Sequence, residues 1–253
     1  MKKLQIMAAA LLLFAAAGCK CPWCCCKKAT AENIVAKMEK AVDVANKKEK
    51  ITSAVLVYDS GIGNKNRSKV TLKLKAKDKI RLEVTLKNTL MVKASNGKTA
   101  WQYTNTKGLV KLNDHELNDL KFQASYLSPG VNYYKIFSNI ELKGTAEVAG
   151  QKCWELVCTP CPEFKLKPVV TFVNKENYFV VKTVENYVEE GEEVEMITYF
   201  GDYEDVDGVM LPRQMVFQRN DKVLETELVS AEWNAEIPDS DFEMPVKLGT
   251  AKK

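Results

Sequence analysis

The spacing of apolar positions along the chain changes near residue 50. Before it, Val35, Met38, Val42 and Ala45 recur at helical spacing, with Ile34 and Ala41 beside them and lysines opposite, and Thr30 stands where an N-cap belongs. This predicts an amphipathic helix over 31–48. Beyond it the period falls to two: 53–60 reads as a strand, closed by a turn at Gly61-Ile62-Gly63-Asn64. Val70, Leu72, Leu74 and Ala76 then alternate with Lys69, Thr71, Lys73, Lys75 and Lys77. Across a Lys77-Asp78 turn, Ile80, Leu82, Val84 and Leu86 alternate with Lys79, Arg81, Glu83, Thr85 and Lys87. Such alternation belongs to an antiparallel sheet with one apolar face and one face in water.

The same grammar continues. Strands are predicted over 90–94 and 99–103 around a Ser95-Asn96-Gly97-Lys98 turn, and a second helix over 114–126 before Ser128-Pro129-Gly130. Strand patterning then resumes over 140–143, 147–157, 169–173, 178–185, 193–203, 210–217 and 223–233. Asn174-Lys175-Glu176-Asn177 and Asn220-Asp221 stand where hairpin turns are needed. The expectation is one α+β domain over 30–246, built from a long antiparallel sheet and two principal helices, with a flexible tail over 247–253.

The amino terminus has a different character. Met1-Lys2-Lys3 precedes a short apolar run over 4–17, too short to span a bilayer, which takes about 20 residues. The run ends Ala16-Ala17-Gly18-Cys19, which resembles a bacterial lipobox. That resemblance implies a signal peptide over 1–18, acylation of Cys19, and a Cys-rich lipidated tether over 19–29. Ordinary secretion with Cys19 left free is the alternative. Lys20 after the cysteine favours the outer membrane by the same resemblance.

Composition narrows the field further. The chain has 253 residues, 46% hydrophobic and 28% charged, which suits a globular core and excludes a disordered, collagenous or multi-span protein. Its formal charge of +4 comes from the leader and tether: without the five lysines of residues 1–28, 32 basic side chains face 33 acidic ones. The body is near neutral, so nothing points to nucleic acid. The lysine-rich face of residues 69–87 reads either as a solvated outer face or as a surface for anionic headgroups or an acidic partner.

Chemistry is sparse. His115 is the one histidine, and it lies in a polar helix start. Gly97-Lys98-Thr99 lacks the first glycine of a phosphate-binding loop, having Val92 there. The acidic runs over 189–193 and 202–207 lack calcium-loop spacing and read as solvated turns. Cys21-Pro-Trp-Cys24 and Cys158-Thr-Pro-Cys161 have redox or half-zinc-site spacing, but the first follows no strand. A local disulfide or plain thiols at 158 and 161 are the simpler reading, and Cys153 and Cys158, five apart, belong on opposite faces of one strand. No catalytic residue, metal or cofactor is expected.

Three stretches carry a family resemblance: Ser95-Asn96-Gly97-Lys98-Thr99-Ala100-Trp101-Gln102-Tyr103, Asp205-Val206-Asp207-Gly208-Val209-Met210-Leu211-Pro212, and Ile237-Pro238-Asp239-Ser240-Asp241-Phe242-Glu243-Met244-Pro245. In order and spacing they are similar to the LolA/LolB-like superfamily of periplasmic lipoprotein carriers and receptors. The resemblance implies a strongly curved antiparallel half-barrel of about 10 to 13 strands, its helices over the concave face, enclosing an apolar cavity for acyl chains. Leu72, Leu74, Leu82, Val84, Trp101 and Tyr103 are then the candidate cavity residues. Carriers of the family have Arg-Pro where this chain has Ala76-Lys77, which favours a fixed receptor or tethered lipid-binding protein over a soluble carrier. The implied partners are membrane lipid, through acylated Cys19, and the acyl chains of lipids or lipoproteins; a protein bound by the same half-barrel, in stress sensing or assembly, is the alternative.

Overall fold

Short turns keep consecutive strands side by side in this chain, and the result is one antiparallel sheet. A computed structural model describes residues 29–245, apart from 64, 76–77, 128–131 and 190–191. The expectations for the signal peptide, Cys19, the tether cysteines, Ala76-Lys77 and the 247–253 tail fall outside the described residues. Helix α1 spans Ala31–Val42, followed by β1 (Ser53–Ile62), β2 (Lys65–Lys75), β3 (Lys79–Leu86), β4 (Thr89–Ser95), β5 (Ala100–Thr104) and β6 (Gly108–Lys111). Helices α2 (Asp114–Tyr126) and α3 (Tyr133–Ile136) lead into β7 (Phe137–Val148), β8 (Gln151–Pro160), β9 (Val169–Asn174), β10 (Val180–Glu189), β11 (Glu192–Val206), β12 (Val209–Arg219) and β13 (Lys222–Trp233).

The strand order is β6-β5-β4-β3-β2-β1-β13-β12-β11-β10-β9-β8-β7, so the first and last strands pair in the middle and β6 and β7 form the two edges. The sheet is open and curled. Two helix contacts fit that curl. Helix α1 touches both the edge strand β7 and β12, while α2 touches β3, β4 and β5 and also the turn Pro162–Phe164 beyond β8.

Local chemistry sets the element ends. Helix α2 starts where predicted because Asn113 and Glu116 form a capping box, each side chain accepting the other's backbone N–H at 3.0 Å. Helix α1 stops at Val42, earlier than periodicity predicts. The Asp43 carboxylate accepts the backbone N–H groups of Lys47 at 2.7 Å and Lys48 at 3.2 Å, and Asn46 takes a left-handed conformation at φ 52°, so the chain turns away. The predicted strand over 147–157 is in fact a hairpin, with Ala149 and Gly150 at φ 48° and 76° forming its two-residue turn. Gly61 and Ile62 belong to β1 rather than to a turn.

One face of the sheet carries all three helices. Ala54, Leu56, Leu72, Leu74 and Ile80 are buried there with Leu120 and Ala124 of α2. On the other half, Ile34, Val35 and Met38 of α1 pack with Phe122, Tyr133, Phe137, Leu156 and Cys158. Phe122 also meets Phe137 and Phe164 edge-on and stacks on Tyr126. The opposite face of β2–β5 is crossed by the C-terminal segment, residues 237–245, which acts as a strap.

The strap explains the middle of the lysine-rich face, where Lys73, Lys75, Lys79 and Arg81 are neither simply solvated nor open to a foreign partner. Lys73 pairs with Asp241 at 2.7 Å, Lys75 and Lys79 pair with Asp239 at 2.7 and 3.0 Å, and the Arg81 guanidinium donates to the Asp241 carbonyl at 2.7 Å. The chain satisfies these cations with its own acidic end. Lys69 and Lys87, beyond the strap, stay exposed.

Candidate functional site

Register divides the predicted cavity residues between two faces. Leu72 pairs with Leu82, and Leu74 with Ile80, all on the helix-bearing face; Val84 follows Leu82 there, opposite Val70. Leu72 and Leu74 are fully covered, whereas Leu82 and Val84 are half-buried. Trp101 and Tyr103 lie on the other face. Lys73 pairs with Arg81, Arg81 with Ala94 and Ala94 with Trp101, so Trp101 shares the strap side with the basic row. Trp101 and Tyr103 cluster with Val92 and Ala94, and the Trp101 indole N–H donates to the Phe242 carbonyl at 3.0 Å. They hold the strap and share no surface with Leu72, Leu74, Leu82 and Val84.

The helix-bearing face extends further than sequence reasoning reached. Val84 pairs with Met91, and Val70 with Tyr58, which pairs in turn with Leu228 of β13. Leu224, two rungs along β13, pairs with Phe217. Tyr58, Val70, Val84, Met91, Met215 and Phe217 are all half-buried, and together they form a partly open apolar strip beyond the covered cluster. Ser60 and Thr226 interrupt it, but their hydroxyls bond each other at 2.7 Å and demand no other partner. Phe217 and Leu224 were readable, being equidistant from the Asn220-Asp221 turn.

Polar groups border the strip. Glu185 of β10 is half-buried on the same face, and its carboxyl pKa is raised by burial and then by Asp119 of α2. Burial alone pushes the Tyr58 phenol well above its ordinary value. Tyr203 donates to the Val180 carbonyl at 3.0 Å and stacks on Phe179. Near the start of β1, a separate polar groove of about 910 Å³ is lined by Glu39, Lys40, Lys135, Asn234 and Glu236 among others. Lys48, buried beside Glu39 and Asp43, has its pKa lowered by that burial.

The three thiols among the described residues are free. Cys153 and Cys158 are free, buried, and on opposite faces of β8, Cys153 with Val148 and Val181 and Cys158 with Leu156 and Val169. Cys158 bonds Thr171 Oγ1 at 3.9 Å while Cys161 bonds the Lys135 carbonyl at 3.8 Å, so the two point to different partners and form no disulfide. Burial raises the Cys158 thiol pKa to about 11, which makes it a poor nucleophile.

The remaining motif residues have local packing roles. Gly208, at φ 88°, lets the β11–β12 turn close on the loop after α1: a Cβ there would lie 2.3 Å from Ala45 Cβ, and Ala45 N–H donates to the Gly208 carbonyl. Trp233 donates to the Val206 carbonyl at 2.9 Å. His115 is exposed at the start of α2.

Comparison with solved structures settles the fold. A LolA superfamily protein of Nitrosomonas europaea superimposes with TM-score 0.56 at 12% identity, over 85% of this chain and 98% of that one. The chain has the LolA-like fold. A putative outer membrane lipoprotein-sorting protein domain of Vibrio parahaemolyticus matches with TM-score 0.53 at 14% identity, over 81% of this chain and 97% of that one. A DUF1329 family protein of Desulfovibrio piger shares the LolA-like fold at TM-score 0.54 and 15% identity, over 85% and 98% of the two chains. A family model described as "Uncharacterized protein" matches residues 130–245. No curated protein matches the chain.

Proposed function

We propose that the protein is an envelope lipoprotein that holds acyl chains of lipids or lipoproteins against the helix-bearing face of its sheet. It serves as a tethered receptor or lipid-binding protein and not as an enzyme. In this reading Cys19 carries the anchor, the outer membrane is its site, and the body faces the periplasm, with the curl of the sheet forming a concave trough under the helices.

One observation carries the reading: apolar side chains at Tyr58, Val70, Leu82, Val84, Met91 and Phe217 line one face, half-buried and broken only by the mutually bonded Ser60 and Thr226, beyond the covered core cluster. A fold has no need of such a strip, and an alkyl chain covering it gains about 0.8 kcal/mol per CH₂. The neighbour in Vibrio parahaemolyticus, named for lipoprotein sorting, agrees with it.

The test is extraction and mass spectrometry of a chain beginning at Ala29, which keeps every described element, exported to the periplasm and purified without detergent. Near-stoichiometric acyl lipid, lost in a folded Val84→Arg variant, is expected. A folded, lipid-free protein that also ignores an added fluorescent fatty acid would overturn the reading and favour a protein partner.

A further inference from the structure

At one end of the strands, four hairpin turns come together along the half of the sheet that carries the apolar strip: β1–β2, β3–β4, β5–β6 and β12–β13. The chain pairs Gly61 with Glu225, which puts Ile62 beside Leu224 at the tips of two adjacent hairpins. Ile62 is 65% exposed, Val223 42% and Leu224 39%. Aliphatic side chains at turn tips contribute nothing to a core, and a group of them, unlike a lone one, marks a contact surface.

Charge at the same tips has one dominant sign. Lys87, Lys107 and Lys222 occupy or adjoin the β3–β4, β5–β6 and β12–β13 turns, all are exposed, and among the described residues none enters an ion pair. Asp221 is the carboxylate in these turns; one step inward Glu225 lies opposite Gly61, and further in Lys69 lies opposite Asp59. The surface ends at β11, where Glu192 and Glu193 begin the next strand.

We infer that these tips dock on the surface of an anionic phospholipid bilayer, with Ile62, Val223 and Leu224 entering the acyl boundary and Lys87, Lys107 and Lys222 lying among the phosphates. Exposed aliphatics flanked by unpaired lysines are what such a surface recognises. Leu224 is the join: at the tip it meets the bilayer, and from its partner Phe217 the face runs past Met215 and the mutually bonded Ser60 and Thr226 hydroxyls to Tyr58, Val70 and Val84. A lipid chain leaves the membrane at Leu224 and slides inward over one polar rung whose hydroxyls satisfy each other. The inference rests on the acyl-binding reading and adds the port of entry.

The full chain is reconstituted in phosphatidylglycerol-rich vesicles and, separately, in pure phosphatidylcholine vesicles, each containing a lipid with a diazirine on its acyl chain, and the adducts are mapped after illumination. Adducts at Ile62, Val223 and Leu224 are expected in the anionic vesicles. They should fall at least about fivefold in a Lys87→Gln/Lys107→Gln/Lys222→Gln variant, since each lysine near an anionic surface is worth a factor of that order. Circular dichroism confirms that the variant is folded. Adducts confined to Val70, Val84, Met91 and Phe217 would overturn the docking surface and leave the acyl-binding reading standing. Equal tip labelling in both vesicles, unchanged by the triple variant, would also overturn it. Adducts confined to residues 19–28 would overturn both.

Discussion

The Trp101 indole N–H donates to the main-chain carbonyl of Phe242 at 3.0 Å, and both side chains are almost completely buried, at 1% and 0% exposure. Two of the three motifs that carry the family resemblance thus meet each other, on the side of the sheet away from the helices. Their job is to fasten the strap, which in turn covers Ala94 and orders the cations of β2 and β3.

Trp101→Phe should cost about 1–3 kcal/mol, because it leaves a buried carbonyl without its donor, and Trp101→Ala about 3–5 kcal/mol. Urea unfolding of the chain from Ala29 gives both values. Hydrogen exchange at residues 239–243 should accelerate in Trp101→Phe well before the sheet opens. Uniform protection there would mean that the ion pairs alone hold the strap.

Asp239 supplies a pH signature. Hydrogen bonds from Lys75 and then Lys79 hold its carboxyl pKa below the ordinary 3.8, so the stability it contributes is present above pH 3.8 and is lost as pH falls through the lowered folded value. Asp239→Asn should flatten the acid limb of the Tm-against-pH curve. An unchanged limb would show that the pair contributes nothing in solution, as many exposed pairs do.

Glu185 has the opposite sign. Its folded pKa is raised, first by burial and then by Asp119, so above pH 4.5 the unfolded chain releases the proton more readily than the folded one, and stability falls as pH rises through that window. Glu185→Gln should therefore melt higher than the parent at pH 7, with the gap closing toward pH 4.5. A lower Tm at pH 7 would show that the carboxylate has a stabilising partner.

Gly208→Ala forces both a left-handed alanine and a clash with Ala45, and should cost about 1–3 kcal/mol. Adding Ala45→Gly relieves the clash but not the strained φ, so the double variant should recover only part of the loss. Full recovery would assign the whole cost to the contact.

Much of this fold was legible. The cap residues of α2, Asn113 and Glu116, are three apart in sequence and local, and the alternation in β2 and β3 reports a sheet with one dry face. What failed was anything that depended on a distant segment. Trp101 and Tyr103 look like lining because aromatics on a strand usually face the core, yet β4 and β5 are covered on both sides: by α2 on one and by residues 237–245 on the other. The same strap hides inside what reads as a solvated basic face. Strand β6, only Gly108–Lys111, is too short to establish a period, and the Asp43 turn ended α1 through a side chain that periodicity ignores. In the candidate strip, Leu82 and Val84 were found by alternation, whereas Met91 was missed because apolar residues occur on both faces of β4.

Pairing β1 with β13 places Ala54 against Trp233, so the strand synthesised first finds its central partner only when nearly the whole chain is available. Closing so large a loop is slow and must precede any reward from the contacts it brings. The two meanders on either side can form hairpin by hairpin, but they remain separate ribbons with raw edges at β1 and β12 until the last strand arrives. A chain cut before residue 222 should therefore persist as two sticky halves, and the arrival of the last strand, not the emergence of the first ones, is the start of folding to the finished sheet.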